Sequence, residues 1–141
     1  MAGITVQIRQ ITSSASAANI REHTVEIDRP ADRGGSGKGV MGGELFMASI
    51  GGCFMSTLLE AIRGREAEEL VRNVIVEVYG MIEQSPARFV AVDLRVSAKC
   101  TDRELLEKLV EIAGRGCIMV NTLRESLNLK ILVGSDVVVG A

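Results

Sequence analysis

Gly42-Gly43-Glu44-Leu45-Phe46-Met47-Ala48-Ser49-Ile50-Gly51-Gly52-Cys53-Phe54-Met55-Ser56-Thr57-Leu58-Leu59 is the stretch on which the fold turns. No side chain from Leu45 to Leu59 carries a charge. The pattern predicts a long helix from Glu44 to about Gly64. Leu45, Ala48, Gly52, Met55 and Leu59 line one face, and Phe46, Ile50, Cys53 and Leu58 cover much of the rest. A helix apolar all round is expected to be buried on all sides. Gly51 and Gly52 each cost about 1 kcal/mol relative to alanine in a helix interior. They are expected where another backbone packs very close. One domain of 141 residues rarely encloses a helix completely, so a homodimer burying it at the interface is expected.

Upstream, Ile4, Val6 and Ile8 alternate with polar residues at the period of a half-buried strand. Thr12 to Asn19 is polar and predicts a turn or loop. His23, Val25 and Ile27 alternate again, predicting a second strand paired with the first and ended at Asp28-Arg29-Pro30. The glycine-rich run from Ala31 to Gly43 reads as a flexible loop. Its Gly37-Lys38-Gly39 lacks the Ser or Thr and the buried strand that a phosphate-binding loop needs.

Downstream, Val74, Val76, Val78 and Ile82 share one face of a strand from about Val71 to Glu83, with Gly80 as a candidate bulge. Gln84-Ser85-Pro86 is a turn, and Val90, Val92, Leu94, Val96, Ala98 and Cys100 line one face of the next strand. Together they predict a long hairpin with one wet face. Thr101 and Glu104 fit a capping box that opens a helix burying Leu105, Leu106, Leu109, Val110, Ile112 and Ala113. Gly114 to Gly116 are expected to break it before a second short helix, about Cys117 to Leu127. Leu129 to Val133 predicts a last strand, which Val137 to Val139 extend or follow. With no repeated strand–helix–strand unit, the class is α+β, with a largely antiparallel sheet and a long buried central helix, in one domain spanning residues 1–141.

A net charge of −2 gives no reason to expect nucleic acid or an anionic membrane as partner. The start Met1-Ala2-Gly3-Ile4 lacks the basic and apolar segments of a signal peptide, and the apolar stretch around Cys53 reads as short of the roughly 20 residues a bilayer span takes. A cytoplasmic location is therefore expected, where thiols stay reduced unless chemistry oxidises them. One histidine and no Cys-x-x-Cys pair argue against a metal site, and no Gly-x-Ser-x-Gly elbow is present. No cofactor is expected.

Chemistry then falls to the three cysteines. Cys100 is in phase with the apolar face of its strand and reads as a small core hydrophobe. Cys117 starts a helix, where free amides and the macrodipole lower a thiol's pKa, although a core role is equally open. Cys53 among Gly, Ala, Met and Leu is core filler unless a cation or donor activates it. Arg21, Arg29 and Arg33, or an arginine of a second subunit, are the candidates.

These residues resemble the OsmC/Ohr family, the osmotically inducible and organic-hydroperoxide-resistance proteins. Gly39 to Cys53 is similar to the family's glycine-rich loop and Glu-Leu-rich helix ending in a small pair and cysteine. Cys117-Ile118-Met119-Val120-Asn121-Thr122-Leu123 resembles the second cysteine motif, and His23 to Pro30 resembles the strand and Asp-x-Pro before the loop. The resemblance implies an OsmC-like fold, an intertwined homodimer, and thiol-dependent reduction of organic hydroperoxides. It implies that Cys53 attacks the peroxide and that Cys117 resolves the sulfenic acid as a disulfide, which a dithiol or lipoyl-bearing protein then reduces. Family peroxidases carry a glutamate one position before Glu44, where this chain has Gly43, and an arginine in the loop after the first strand. Here Thr12 to Asn19 holds no basic residue, so Arg21, Arg33 and Glu44 are the candidate thiolate-supporting side chains, and Ile118 replaces the usual proline. The alternative is a non-catalytic OsmC-like dimer holding an apolar or thiol ligand at the subunit interface.

Overall fold

A computed structural model describes residues 1–134, so Val137 to Val139 lie outside the described residues. The chain divides into two compact units, Met1–Phe46 and the remainder from Met47.

The first unit holds a three-stranded antiparallel meander of β1 (Gln7–Gln10), β2 (Ser16–Ile20) and β3 (His23–Ile27). The two strands expected to pair are not neighbours, because β2 lies between them. Much of the expected Thr12–Asn19 loop is therefore strand. Thr12 makes the turn that precedes it, its hydroxyl accepting from the N–H groups of Ser14 and Ala15 at 3.2 and 2.9 Å. Ala15, Ala17 and Ala18 are buried although none has the branched side chain that marks a strand in sequence. The expected half-buried face of the first strand is absent: Ile4, Val6 and Ile8 are all exposed.

In the second unit, the hairpin of β4 (Val71–Glu83) and β5 (Arg88–Cys100) forms as expected. Val92, Leu94, Val96, Ala98 and Cys100 face the core. The last strand, β6 (Asn128–Val133), adds to the other edge of β5 in parallel, the one parallel pairing among the described strands of a largely antiparallel arrangement. Its direction follows from the helical crossover between β5 and β6, which returns the chain to the end from which β5 began. Register shifts fall between Arg72 and Ile75 and between Met81 and Ile82, not at Gly80. Gly80 is instead a place of close approach, since a Cβ there would lie 2.6 Å from Met47 Sδ. Beyond the second shift Ile82 turns outward and is exposed.

Helix α1 (Gly42–Gly64) is the long helix expected. Only one stripe of it is fully buried: Ile50, Phe54, Leu58 and Ile62, spaced one turn apart, with Gly51 beside them. Leu59 is 41% exposed, so burial on all sides is not achieved within one chain. At 23 residues the helix is, by length and composition, apolar enough to cross a membrane, which corrects the expectation that it is too short. Its buried stripe nonetheless serves the unit's core. A Cβ on Gly51 would come within 2.6 Å of Val78 Cγ2 on β4, so the close neighbour is a strand side chain rather than a backbone. Gly52 meets nothing within 4 Å.

Helix α2 (Arg103–Gly116) is capped one residue later than expected: Asp102, not Thr101, accepts from the Leu105 N–H at 3.1 Å. It also runs through Gly114–Gly116 rather than breaking there, and buries Leu106, Leu109, Val110, Ala113 and Gly114. Helix α3 (Ile118–Leu123) follows after a single residue, Cys117, and is shorter than expected.

Candidate functional site

Cys53 and Cys117 come together. Cys53 lies on α1, one turn after the buried Ile50, and is half-buried. Cys117 occupies the elbow between α2 and α3 and is 0% exposed. Its S–H donates to Cys53 Sγ at 3.5 Å. A disulfide requires sulfur atoms about 2.05 Å apart, so the approach still needed is small.

Burial pushes the Cys117 thiol pKa up, and the neighbouring Cys53 sulfur adds to the rise. The N–H groups of Val120 and Met119 pull it down but do not prevail. The lowered pKa expected from its helix-start position is thus corrected, because desolvation disfavours the thiolate more than two amides favour it.

Cys100 is buried at the end of β5 with its S–H donating to the Asp102 carbonyl at 3.1 Å. The reading of Cys100 as a core residue fits this environment.

Among the supporting candidates, Glu44 acts as a helix cap. Its Oε1 accepts from the Met41 N–H at 2.8 Å, the back-bond of a capping box at the start of α1. Arg33, in a 3-10 turn at Ala31–Arg33, places Nη1 3.8 Å from Met41 Sδ. Arg21, at the β2–β3 turn with φ 53°, pairs with Glu22 at 3.8 Å and is largely exposed.

Sequence reasoning missed the residue that organises the glycine-rich loop. Asp28 is 3% exposed. Its Oδ1 accepts from Arg29 N–H at 2.8 Å, while its Oδ2 accepts from the Ser36 hydroxyl at 2.6 Å and from the N–H groups of Ser36 and Lys38 at 3.1 and 3.2 Å. These donors, the Ser36 hydroxyl foremost, hold its carboxyl well below the usual carboxylate range. The run expected to be a loose loop is therefore tied to a buried charge. Gly35 and Gly39 press on the carbonyls of Arg29 and Glu26 so closely that a Cβ at either position would clash with backbone. The available signal was an aspartate ending a strand just before a run of small residues rich in free amides.

The family model described as OsmC-like protein matches residues 35–132. The chain belongs to the OsmC-like family. Solved structures share its fold at low identity. An organic hydroperoxide resistance protein OsmC of Legionella pneumophila is 20% identical, with a TM-score of 0.73, covering 95% of this chain and 99% of that one. An OsmC-like protein of Mycoplasma pneumoniae is 16% identical, with a TM-score of 0.79, covering 94% and 95%. A putative organic hydroperoxide resistance protein of Vibrio cholerae, with captopril bound in one of its active sites, is 18% identical, with a TM-score of 0.74, covering 96% and 95%. No curated protein matches the chain.

Proposed function

We propose that this protein is a thiol-dependent peroxidase that reduces organic hydroperoxides, working in the cytoplasm as an intertwined homodimer of single-domain chains. The observation that carries this reading is the 3.5 Å separation of the Cys53 and Cys117 sulfur atoms. The names of the Legionella and Vibrio structures support the substrate class.

In the proposed cycle the Cys53 thiolate attacks the distal oxygen of ROOH. The O–O bond breaks, Cys53 becomes a sulfenic acid, and RO⁻ takes a proton and leaves as the alcohol. The Cys117 thiolate then attacks the Cys53 sulfur, forming the disulfide and expelling hydroxide, which takes a proton to leave as water. A dithiol or lipoyl-bearing protein donates two electrons and two protons to restore both thiols. Arg21 or Arg33 supports the Cys53 thiolate in this scheme, with Glu44 fixing the start of the helix that carries the cysteine.

The test is turnover of cumene hydroperoxide with a dithiol reductant. Cys53→Ser is expected to abolish it and Cys117→Ser to allow at most one turnover before Cys53 over-oxidises. Undiminished turnover by Cys53→Ser would falsify the assignment. Selective alkylation of Cys53 near neutral pH tests its activation: loss of the supporting arginine is expected to slow alkylation. Inert cysteines in the wild-type chain support the non-catalytic, ligand-binding alternative instead.

A further inference from the structure

We propose that Asn121 is a positioning residue that holds Cys117 in disulfide reach of Cys53, an inference that rests on the assignment of these two cysteines to disulfide chemistry. The last carbonyls of a helix have no partner within it. At the end of α2, side chains of the following segment supply partners. Asn121 Nδ2 donates to the Arg115 carbonyl at 2.9 Å, and Arg124 Nη2 donates to the Gly114 carbonyl at 3.3 Å. The Asn121 backbone N–H also donates to the Cys117 carbonyl at 2.9 Å. One residue thus grips the chain on both sides of the elbow on which Cys117 sits.

The elbow is braced from the other side as well. A Cβ on Gly116 would lie 3.4 Å from Thr57 Cγ2. Thr57 sits one turn after Cys53 on α1 and donates its hydroxyl to the Cys53 carbonyl at 3.0 Å. The segment bearing Cys117 therefore rests against the turn of α1 that follows Cys53. Joining two thiols is favourable in proportion to their effective concentration, which is high when the chain between them is already ordered. Without the Asn121 donor, the reduced elbow gains freedom that the disulfide must then remove. The disulfide fixes the elbow, so the oxidised state bears the lost hydrogen bond in full, while the dithiol recovers part of it as conformational freedom.

The experiment is the equilibrium between the protein and dithiothreitol, resolved by peptide mapping of the Cys53–Cys117 disulfide. In it, the protein loses two S–H protons and two electrons as oxidised dithiothreitol is reduced to the dithiol. Asn121→Ala and the isosteric Asn121→Asp, which both lack the amide donor, are expected to shift the equilibrium about fivefold toward the reduced protein, the equivalent of one hydrogen bond. Thr122→Ala is the control. It removes a comparable hydroxyl bond to the Ile118 carbonyl within α3, so it is expected to lower stability while leaving the equilibrium unchanged. An unchanged equilibrium in both Asn121 variants overturns the proposal, as does an equal shift in Thr122→Ala. Hydroperoxide takes no part in the measurement. A chain inactive on peroxides but showing the shift keeps the positioning role and loses the peroxidase reading. A wild-type chain that forms no Cys53–Cys117 disulfide overturns both.

Discussion

Cys117 keeps its proton because burial and the neighbouring sulfur both disfavour its thiolate. Two pH effects follow, and both belong to this residue. The proposed resolving step needs the thiolate, so in that scheme decay of the Cys53 sulfenic acid is expected to accelerate with pH through neutrality and past about 8.5, the ordinary thiol value. A stopped-flow rate already level at pH 7 contradicts this. The reduced fold is also expected to lose stability in alkali. A folded-state pKa above the unfolded one means that the contribution is fully present below about pH 8.5 and disappears as pH rises through the folded value. Cys100→Ser, whose hydroxyl keeps the Asp102 carbonyl as acceptor, is expected to change stability by no more than about 1 kcal/mol, with turnover preserved; a large loss of turnover at unchanged stability contradicts its core role. The cysteines could be ranked from sequence because motif and spacing mark them. Asp28 and Asn121 could not, because their roles come from carbonyls and amides that only the folded chain brings within reach.

The elements carry a sharper contrast at Gly51 and Gly52. A Cβ at Gly51 drives into Val78, so Gly51→Ala is expected to destabilise by about 1–3 kcal/mol from overpacking, against an offset of about 1 kcal/mol from better helix propensity. Gly52 faces open space within the chain. The proposed homodimer expects a second copy to close on that side, so Gly52→Ala should weaken self-association in analytical ultracentrifugation; a higher melting temperature with unchanged self-association contradicts packing at Gly52. The glycine-rich loop is governed by Asp28. Asp28→Asn is expected to speed hydrogen exchange at the amides of Ser36 and Lys38 while leaving β4 and β5 protected. With its folded pKa lowered, the Asp28 contribution is present above the ordinary carboxylate range and is lost only as pH falls well below it. Helix α1 and the β4–β5 hairpin were legible because their apolar periodicity extends over many residues. Strand β2 was not, because Ser16-Ala17-Ala18-Asn19-Ile20 offers small side chains where the pattern looks for branched ones.

At the scale of the molecule, the α+β class and the β4–β5 pairing were open to sequence reasoning, but the order of the first sheet and the placing of β6 were not. Alternation reveals that a strand exists and which face is apolar, while its neighbour depends on the path the chain takes between strands. The parallel edge made by β6 is the clearest instance, since its direction is set by α2 and α3 rather than by its own residues. The same crossover brings a sulfur 64 residues downstream to the surface of α1, and the catalytic proposal depends on that return.

The most direct test is peptide mapping after one equivalent of an organic hydroperoxide is added to the fully reduced protein. The account predicts one new linkage, between the peptides of Cys53 and Cys117, with Cys100 still a thiol. A chain that stays fully reduced, or one in which Cys100 takes part in the linkage, contradicts it.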